Sequence, residues 1–191
     1  MFTGIIRIFG VVAAVECGDV QTYAIDFPHD GLEIGASVSV DGTCQTAIAV
    51  DDHVWFQAVG ETLKRTTLGN LKVGQQVHIE RSARIGDEIG GHMLSGHIYC
   101  TSMIQKIEEN IYTFSVPNTT YLFEKGYVAV DGMSLTVVDV FEDAFTVHLI
   151  PETLKVFHKK VGDFVNIEFD SLTMATVKTV ERILKSRDKP I

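Results

Sequence analysis

Cysteine is scarce in this chain of 191 residues, and its three cysteines, Cys17, Cys44 and Cys100, include no C-x-x-C pair. That excludes a disulfide framework, leaves zinc and dithiol redox chemistry without their usual spacing, and points to a reducing cytosol. Positive charge is short as well: 16 Lys and Arg stand against 25 Asp and Glu, for a net charge of −9. A nucleic-acid groove depends on clustered Lys and Arg, so nucleic acid is set aside as a partner. No apolar run approaches the ~20 residues that span a bilayer, and no membrane segment is expected. The apolar stretch at residues 8–15 has only Arg7 before it, a weak start for a targeting signal, and the second half of the chain holds its counterpart. Neither G-x-x-x-x-G-K-[ST] nor G-x-G-x-x-G occurs, which leaves nucleotide-dependent chemistry without support. With 21% charged and 46% hydrophobic residues, the balance is that of a globular protein and argues against disorder.

What the chain does have, it has twice. Val38-Ser39-Val40-Asp41-Gly42-Thr43-Cys44-Gln45-Thr46-Ala47 returns as Val128-Ala129-Val130-Asp131-Gly132-Met133-Ser134-Leu135-Thr136-Val137, 90 positions later. Gly60-Glu61-Thr62-Leu63-Lys64 returns as Pro151-Glu152-Thr153-Leu154-Lys155, and Lys72-Val73-Gly74 through Ile79-Glu80 returns as Lys160-Val161-Gly162 through Ile167-Glu168. Met1-Phe2-Thr3-Gly4-Ile5-Ile6 is matched by Met93-Leu94-Ser95-Gly96-His97-Ile98 after a junction rich in Gly and acid at residues 85–92. The period is too long for a solenoid repeat and has the size of a domain. The expected division is residues 1–87, residues 88–170 and a tail of residues 171–191. Two similar units offer two similar pockets, which suits a reaction between two similar molecules.

Most of each repeat reads as short strands between turn residues. Residues 38–50 alternate around Asp41-Gly42, residues 54–59 are aromatic and β-branched, and residues 76–80 alternate strictly. About six strands per repeat, with turn signals at short spacing, predict an all-β protein of two small closed barrels, because closure removes exposed strand edges. Residues 60–69 and 171–186 read as helical. The second of these has apolar positions near helical spacing, with Asp170 or Ser171 able to cap its start and Lys185 and Arg187 suiting its C-terminal end. It belongs to neither repeat, so its apolar face must pack on its own chain or on another subunit, and another subunit is expected. From Glu61 to Val73 the first copy takes twelve steps and from Glu152 to Val161 the second takes nine, so three residues are missing there.

Cys44 and Ser134 occupy equivalent positions, each three residues after a turn Asp. Taken singly, one is a small buried hydrophobe and the other a capping hydroxyl; taken as a pair, they put a thiol and a hydroxyl at the same place in two pockets. His92 and His97 flank the start of the second repeat. Their H-x4-H spacing lacks the Glu and the further ligands of a zinc site, and acid/base or orienting work fits them better. His53, His78, His148 and His158 carry no local constellation. Asp170 closes the second repeat, either as a helix cap or as a carboxylate at a subunit seam.

Four segments resemble the riboflavin synthase family of the alpha-chain type: Met1-Phe2-Thr3-Gly4-Ile5, the run from Gly90 to Ile98, Asp131-Gly132-Met133-Ser134-Leu135-Thr136-Val137, and His148-Leu149-Ile150-Pro151-Glu152-Thr153-Leu154. The resemblance implies two six-stranded Greek-key barrels and a C-terminal helix in a homotrimer, with each active site between the N-terminal barrel of one subunit and the C-terminal barrel of another. It further implies a dismutation of 6,7-dimethyl-8-ribityllumazine to riboflavin and 5-amino-6-ribitylaminouracil, with no metal or added cofactor. Carried over residue by residue, Phe2, Thr3, Gly4, Ile5 and Ile6 would line the first pocket with Cys44, Gln45, Thr46, Gln57, Ala58, Val59, Gly60, Glu61 and Thr62. Gly96, His97, Ile98, Ser134, Leu135, Thr136, His148, Leu149, Ile150, Pro151, Glu152 and Thr153 would line the second, and Lys125 would reach the ligand from a neighbouring subunit. Cys44, His97, Ser134 and Asp170 are the candidates for chemistry. The chain departs from the family at Asp41, where Asn is usual, at Gln45, where Leu is usual, and at the shortened second helical turn. A buried amide at Gln45 needs a hydrogen-bond partner. The alternative is a lumazine or flavin binder of the optical type, which shares the fold without turnover.

Overall fold

The computed structural model describes residues 1–187, so the last four positions of the expected tail lie outside the described residues. Alternation of apolar and polar side chains produces twelve strands: β1 (Ile8–Glu16), β2 (Gln21–Asp26), β3 (Ser37–Val40), β4 (Thr43–Val50), β5 (Val54–Ala58) and β6 (Gln76–Arg81) in the first repeat. The second has β7 (Cys100–Glu108), β8 (Ile111–Ser115), β9 (Tyr127–Val130), β10 (Met133–Val140), β11 (Ala144–His148) and β12 (Phe164–Phe169). Residues 8–15, weighed above as a targeting signal, are strand. The strands close into two antiparallel barrels, ordered β1-β2-β5-β4-β3-β6 and, six strands on, β7-β8-β11-β10-β9-β12. Each barrel encloses its own core, around Tyr23, Ile25, Phe56 and Ile79 in the first and around Ile104, Phe114, Phe145 and Ile167 in the second.

The Asp-Gly turns set how the barrels meet. Val40 pairs with Thr43 and Val130 with Met133, leaving two-residue hairpin loops. Asp41, Gly42, Asp131 and Gly132 all take positive φ, at 43°, 82°, 45° and 81°, the pattern of a type I′ turn. The two loops abut: a Cβ on Gly42 would lie 2.5 Å from the Gly132 nitrogen. Across this seam the last strand of each barrel reaches the other's turn. Asn166 Nδ2 donates to the Asp41 carbonyl at 2.7 Å, and His78 Nδ1 lies 3.0 Å from the Asp131 carbonyl, with His78 Nε2 at 3.0 Å from that of Val156. Asp41 Oδ1 accepts the His78 N–H and Asp131 Oδ1 the Asn166 N–H, both at 2.7 Å. The other oxygen of each carboxylate is buried with no hydrogen-bond partner among the described residues, although Lys159 Nζ stands 3.3 Å from Asp131 Oδ2. Burial and then the neighbouring Asp41 push the Asp131 carboxyl up to about 6, against the pull of Lys159 and His78.

Helix α1 (Gly60–Arg65) continues into a 3-10 helix (Thr67–Asn70), whereas its counterpart α2 (Pro151–Leu154) ends within four residues. The three missing residues fall where the first repeat has that 3-10 turn. Helix α3 (Ser171–Arg187) starts at Asp170, whose Oδ2 accepts the Thr173 N–H at 2.8 Å and its hydroxyl at 2.7 Å. None of its residues is buried, and Leu172, Val180, Ile183 and Leu184 are all close to half exposed or more. Among the described residues no helix is long and apolar enough to cross a membrane.

Candidate active site

Two short straps, residues 1–6 and 93–98, run antiparallel to one another where the barrels meet, joined by hydrogen bonds between Phe2 and Leu94 in both directions at 2.9 and 3.0 Å. Each strap is held at one side by a buried glutamate from its own barrel. Glu80 accepts the Thr3 N–H and hydroxyl and the Gly4 N–H, at 2.6, 2.8 and 3.1 Å. Glu168 accepts the Ser95 N–H and hydroxyl and the Gly96 N–H, at 2.7, 2.6 and 3.0 Å. At its other side each strap lies on the opposite barrel. The Ser134 N–H donates to the Gly4 carbonyl and the Cys44 N–H to the Gly96 carbonyl, both at 2.9 Å. Gly4 and Gly96 take positive φ, and a Cβ at either would lie 2.6 Å from the Cβ of the residue it covers.

This exchange corrects the expected grouping. Gly4 lies on Ser134, not Cys44, and Ile6 is part of the second barrel's core, whereas Ile5 lines a cleft with Arg7, Ile8, Ile79 and Arg81 of its own barrel. Gly96, His97 and Ile98 lie with Cys44 in a cleft of about 170 Å³, lined also by Thr43, Glu61, Thr62, Arg65 and Thr66. Comparing repeats shows which residues are equivalent; it does not show which copy a segment packs against. Thr46 and Thr136 share the outward faces of β4 and β10 with Cys44 and Ser134, two residues along. Gln57, Val59, Gly60, His148, Ile150, Pro151 and Glu152 are exposed, and Thr153 is half-buried. The side chains of Ala58, Leu135 and Leu149 point into the barrel cores, a second correction, because strand alternation turns every other residue of a lining segment inward. Phe2 is 2% exposed, packed with Leu94, Ala129 and Cys44 between the barrels. Lys125 is exposed at the turn into β9, with positive φ and its N–H on the Val137 carbonyl.

The imidazole that reaches a candidate nucleophile is that of His92, which the sequence offers for acid/base work but not among the four candidates for chemistry. His92 Nδ1 lies 2.6 Å from Ser134 Oγ, and the imidazole stacks on Tyr127 at 5.0 Å between ring centres. Gly91 makes room for this, since a Cβ there would lie 2.4 Å from the Thr3 carbonyl oxygen and 2.6 Å from Ser134 Cβ. Burial holds the His92 imidazole below its ordinary value, with Asp170 pulling the other way. Burial raises the Asp170 carboxyl, but the Thr173 hydrogen bonds outweigh it, with help from His92, and leave it below its usual range. A neutral imidazole on a hydroxyl can take that proton, which is how a positioned base activates a nucleophile. His97, the histidine chosen from the sequence, is exposed in the cleft of the other barrel and touches Cys44's surroundings instead. Glu80 and Glu168 belong to the site as well; they share with His78 and Asn166 the faces of β6 and β12 turned away from the cores, so strand alternation reads them as outward, and the straps bury them there. Among the described residues no three His, Cys, Asp or Glu side chains gather as a metal site would require.

The chain matches the lumazine binding domain twice, over residues 3–82 and 95–170. It is 44% identical over 203 residues to the riboflavin synthase of Escherichia coli (strain K12), covering 98% of this chain and 95% of that one. It is likewise 44% identical over 202 residues to the riboflavin synthase of Chlamydia pneumoniae, covering 99% and 100%. Among solved structures it is similar in fold to LumP complexed with riboflavin, with a TM-score of 0.79 at 22% identity over 90% of this chain and 100% of that one.

Proposed function

We propose, since the chain belongs to the riboflavin synthase family, that it moves a four-carbon unit between two molecules of 6,7-dimethyl-8-ribityllumazine. The products are riboflavin and 5-amino-6-ribitylaminouracil, whose atoms together equal those of the two substrates. The observation that carries this reading is the pair of half-sites built alike from both repeats but ending in different groups, the Cys44 thiol under one strap and the Ser134 hydroxyl under the other. Two copies of one substrate must take opposite roles, and matched pockets with unlike reactive groups separate donor from acceptor. Holding both lumazines face to face turns a bimolecular encounter into an oriented one.

In this reading Ser134, with His92 as base, and Cys44, with His97 beside it, handle the proton of the lumazine's acidic methyl group and the attacking group, and Asp170 biases His92. The remaining lining residues of each cleft hold the ring and the ribityl chain. A single chain's cleft of about 170 Å³ is below the ~300 Å³ of ordinary small-molecule pockets, which supports a site completed by a second subunit. The exposed apolar residues of α3 support a homotrimer assembled through that helix. Residues 1–87 and 88–170 then act as the two lumazine-binding units and residues 171–191 as the assembly segment, in the cytosol that the sparse cysteines favour.

The second reading, a binder that does not turn over, is favoured by the likeness to LumP, whose structures hold riboflavin and 6,7-dimethyl-8-(1'-D-ribityl) lumazine. Incubation with the lumazine separates the two. The enzyme produces the absorbance band of riboflavin with time, and a binder retains lumazine unchanged; retained lumazine with no flavin would overturn the synthase reading.

A further inference from the structure

Gln45 is the residue whose amide needed a partner, and it has one on each side. It is 6% exposed on the inward face of β4. Its Oε1 accepts the hydroxyl of Tyr23 at 3.0 Å, and its Nε2 donates to the carbonyl of Cys44 at 2.8 Å. Tyr23 is fully buried in the first core against Phe56, and burial, with Asp41 adding to it, keeps its hydroxyl protonated and able to donate. Cys44 sits opposite Ser39 in β3, while the β4–β5 pairing begins only at Ala47. Its N–H goes instead to the Gly96 carbonyl of the strap. The Cys44 peptide groups are therefore gripped from two directions, by the second repeat's strap outside and by the Gln45 amide inside.

The second barrel cannot do this. Ala47 pairs with Phe56 and Phe56 with Tyr23; in the same register Val137 pairs with Val147 and Val147 with Tyr112. Tyr112 thus keeps the tyrosine, but Leu135 stands where Gln45 would be and has no amide to offer. Only the thiol half-site has the inner grip.

We propose that Gln45, oriented by Tyr23, is a positioning residue that fixes the backbone of Cys44 and so sets the thiol's place in the N-terminal half-site. The proposal rests on the reading that Cys44 faces lumazine. A displacement of ~1 Å at a reacting group can cost up to ~10²-fold in rate, so the effect belongs in turnover more than in binding.

The test uses the full-length protein and the variants Tyr23→Phe, Gln45→Leu and the double variant, which removes the Tyr23 hydroxyl together with the Gln45 amide so that neither is left without the other, and releases only the Cys44 carbonyl. Alkylation of each cysteine is followed by peptide mass spectrometry. Cys17 is exposed, and Cys100, whose thiol burial pushes up to about 11, is a slow internal reference. Lumazine should slow alkylation of Cys44 in the wild type; if it does not, the site reading fails and the positioning claim falls with it. If it does, the double variant should alkylate Cys44 at a rate changed by at least threefold, with Cys17 and Cys100 unchanged. Its kcat should be lower by roughly tenfold with KM within about twofold. Wild-type kcat and Cys44 alkylation in a folded double variant would overturn the proposal. Should the double variant not fold, Tyr23→Phe decides: a smaller change in the same direction supports the proposal, and none overturns it.

Discussion

Replacing Asp41 by Asn probes the seam between the barrels. In the wild type two buried carboxylates share that seam, each with an oxygen that has no hydrogen-bond partner among the described residues. Lifting the Asp131 carboxyl from 3.8 to about 6 corresponds to roughly 3 kcal/mol, at ~1.4 kcal/mol for each tenfold change in proton affinity. Burial supplies the larger part of it and Asp41 the next. The folded protein holds this proton more tightly than the unfolded chain, so its contribution to stability is complete below about pH 4 and declines as pH rises through about 6. Asn at position 41 would still accept the His78 N–H through Oδ1, and its amide nitrogen would replace the unpartnered oxygen with a donor. Lys159 would keep Asp131 as its partner at 3.3 Å. Removing the like charge should therefore stabilise the protein by about 1 kcal/mol near pH 7.5, or ~2–4 °C in Tm for a chain of this size. Near pH 4.5, where Asp131 is already neutral, the gain should vanish. Scanning both proteins thermally at one rate and both pH values measures the difference. A gain of equal size at both pH values, or a loss near pH 7.5, would refute the view of the seam as a strained carboxylate pair.

Three further outcomes are expected. His92→Gln removes the titrating partner of Ser134 while leaving its hydrogen bonding, and should lower riboflavin formation by about 10²-fold with lumazine still bound; full turnover from about pH 6 to 8 would reduce His92 to a pocket wall. Gly91→Ala drives a methyl group into the Thr3 carbonyl and Ser134, and should lower Tm and abolish turnover by lifting the N-terminal strap, whereas an unperturbed Tm would show that the strap yields freely. Ending the chain after Asp170 should give monomers in sedimentation with little activity, and a full-length chain that is active as a monomer would contradict assembly through α3.

The local features of this fold were legible because they are written locally. Asp41-Gly42 and Asp131-Gly132 require positive φ at both residues, and the alternation of β4, β6 and β12 separates the inward from the outward face, so strands and turns follow from a few neighbouring residues. Strap exchange did not follow, because residues 1–6 have no periodicity to orient them and their partners are the distant Glu80 and Ser134. For the same reason a spacing of five between His92 and His97 places two imidazoles near the start of the second repeat without saying which meets the hydroxyl. Gln45 was visible as a polar residue on an inward face, but its answer, Tyr23, comes from β2, which only the closure of the sheet places one strand away from β4.

The exchanged straps separate ancestry from workplace. His97 belongs by descent to the second repeat and stands in the cleft of the first, while Gly4 and Ile6 belong to the first and lie on Ser134 and in the core of the second. After the duplication neither half-site could drift alone, since a change in either repeat's opening residues is felt in the other's pocket. A mutational library aimed at the thiol half-site should therefore randomise residues 93–98 with residues 43–46, and one aimed at the hydroxyl half-site should pair residues 2–6 with residues 133–136.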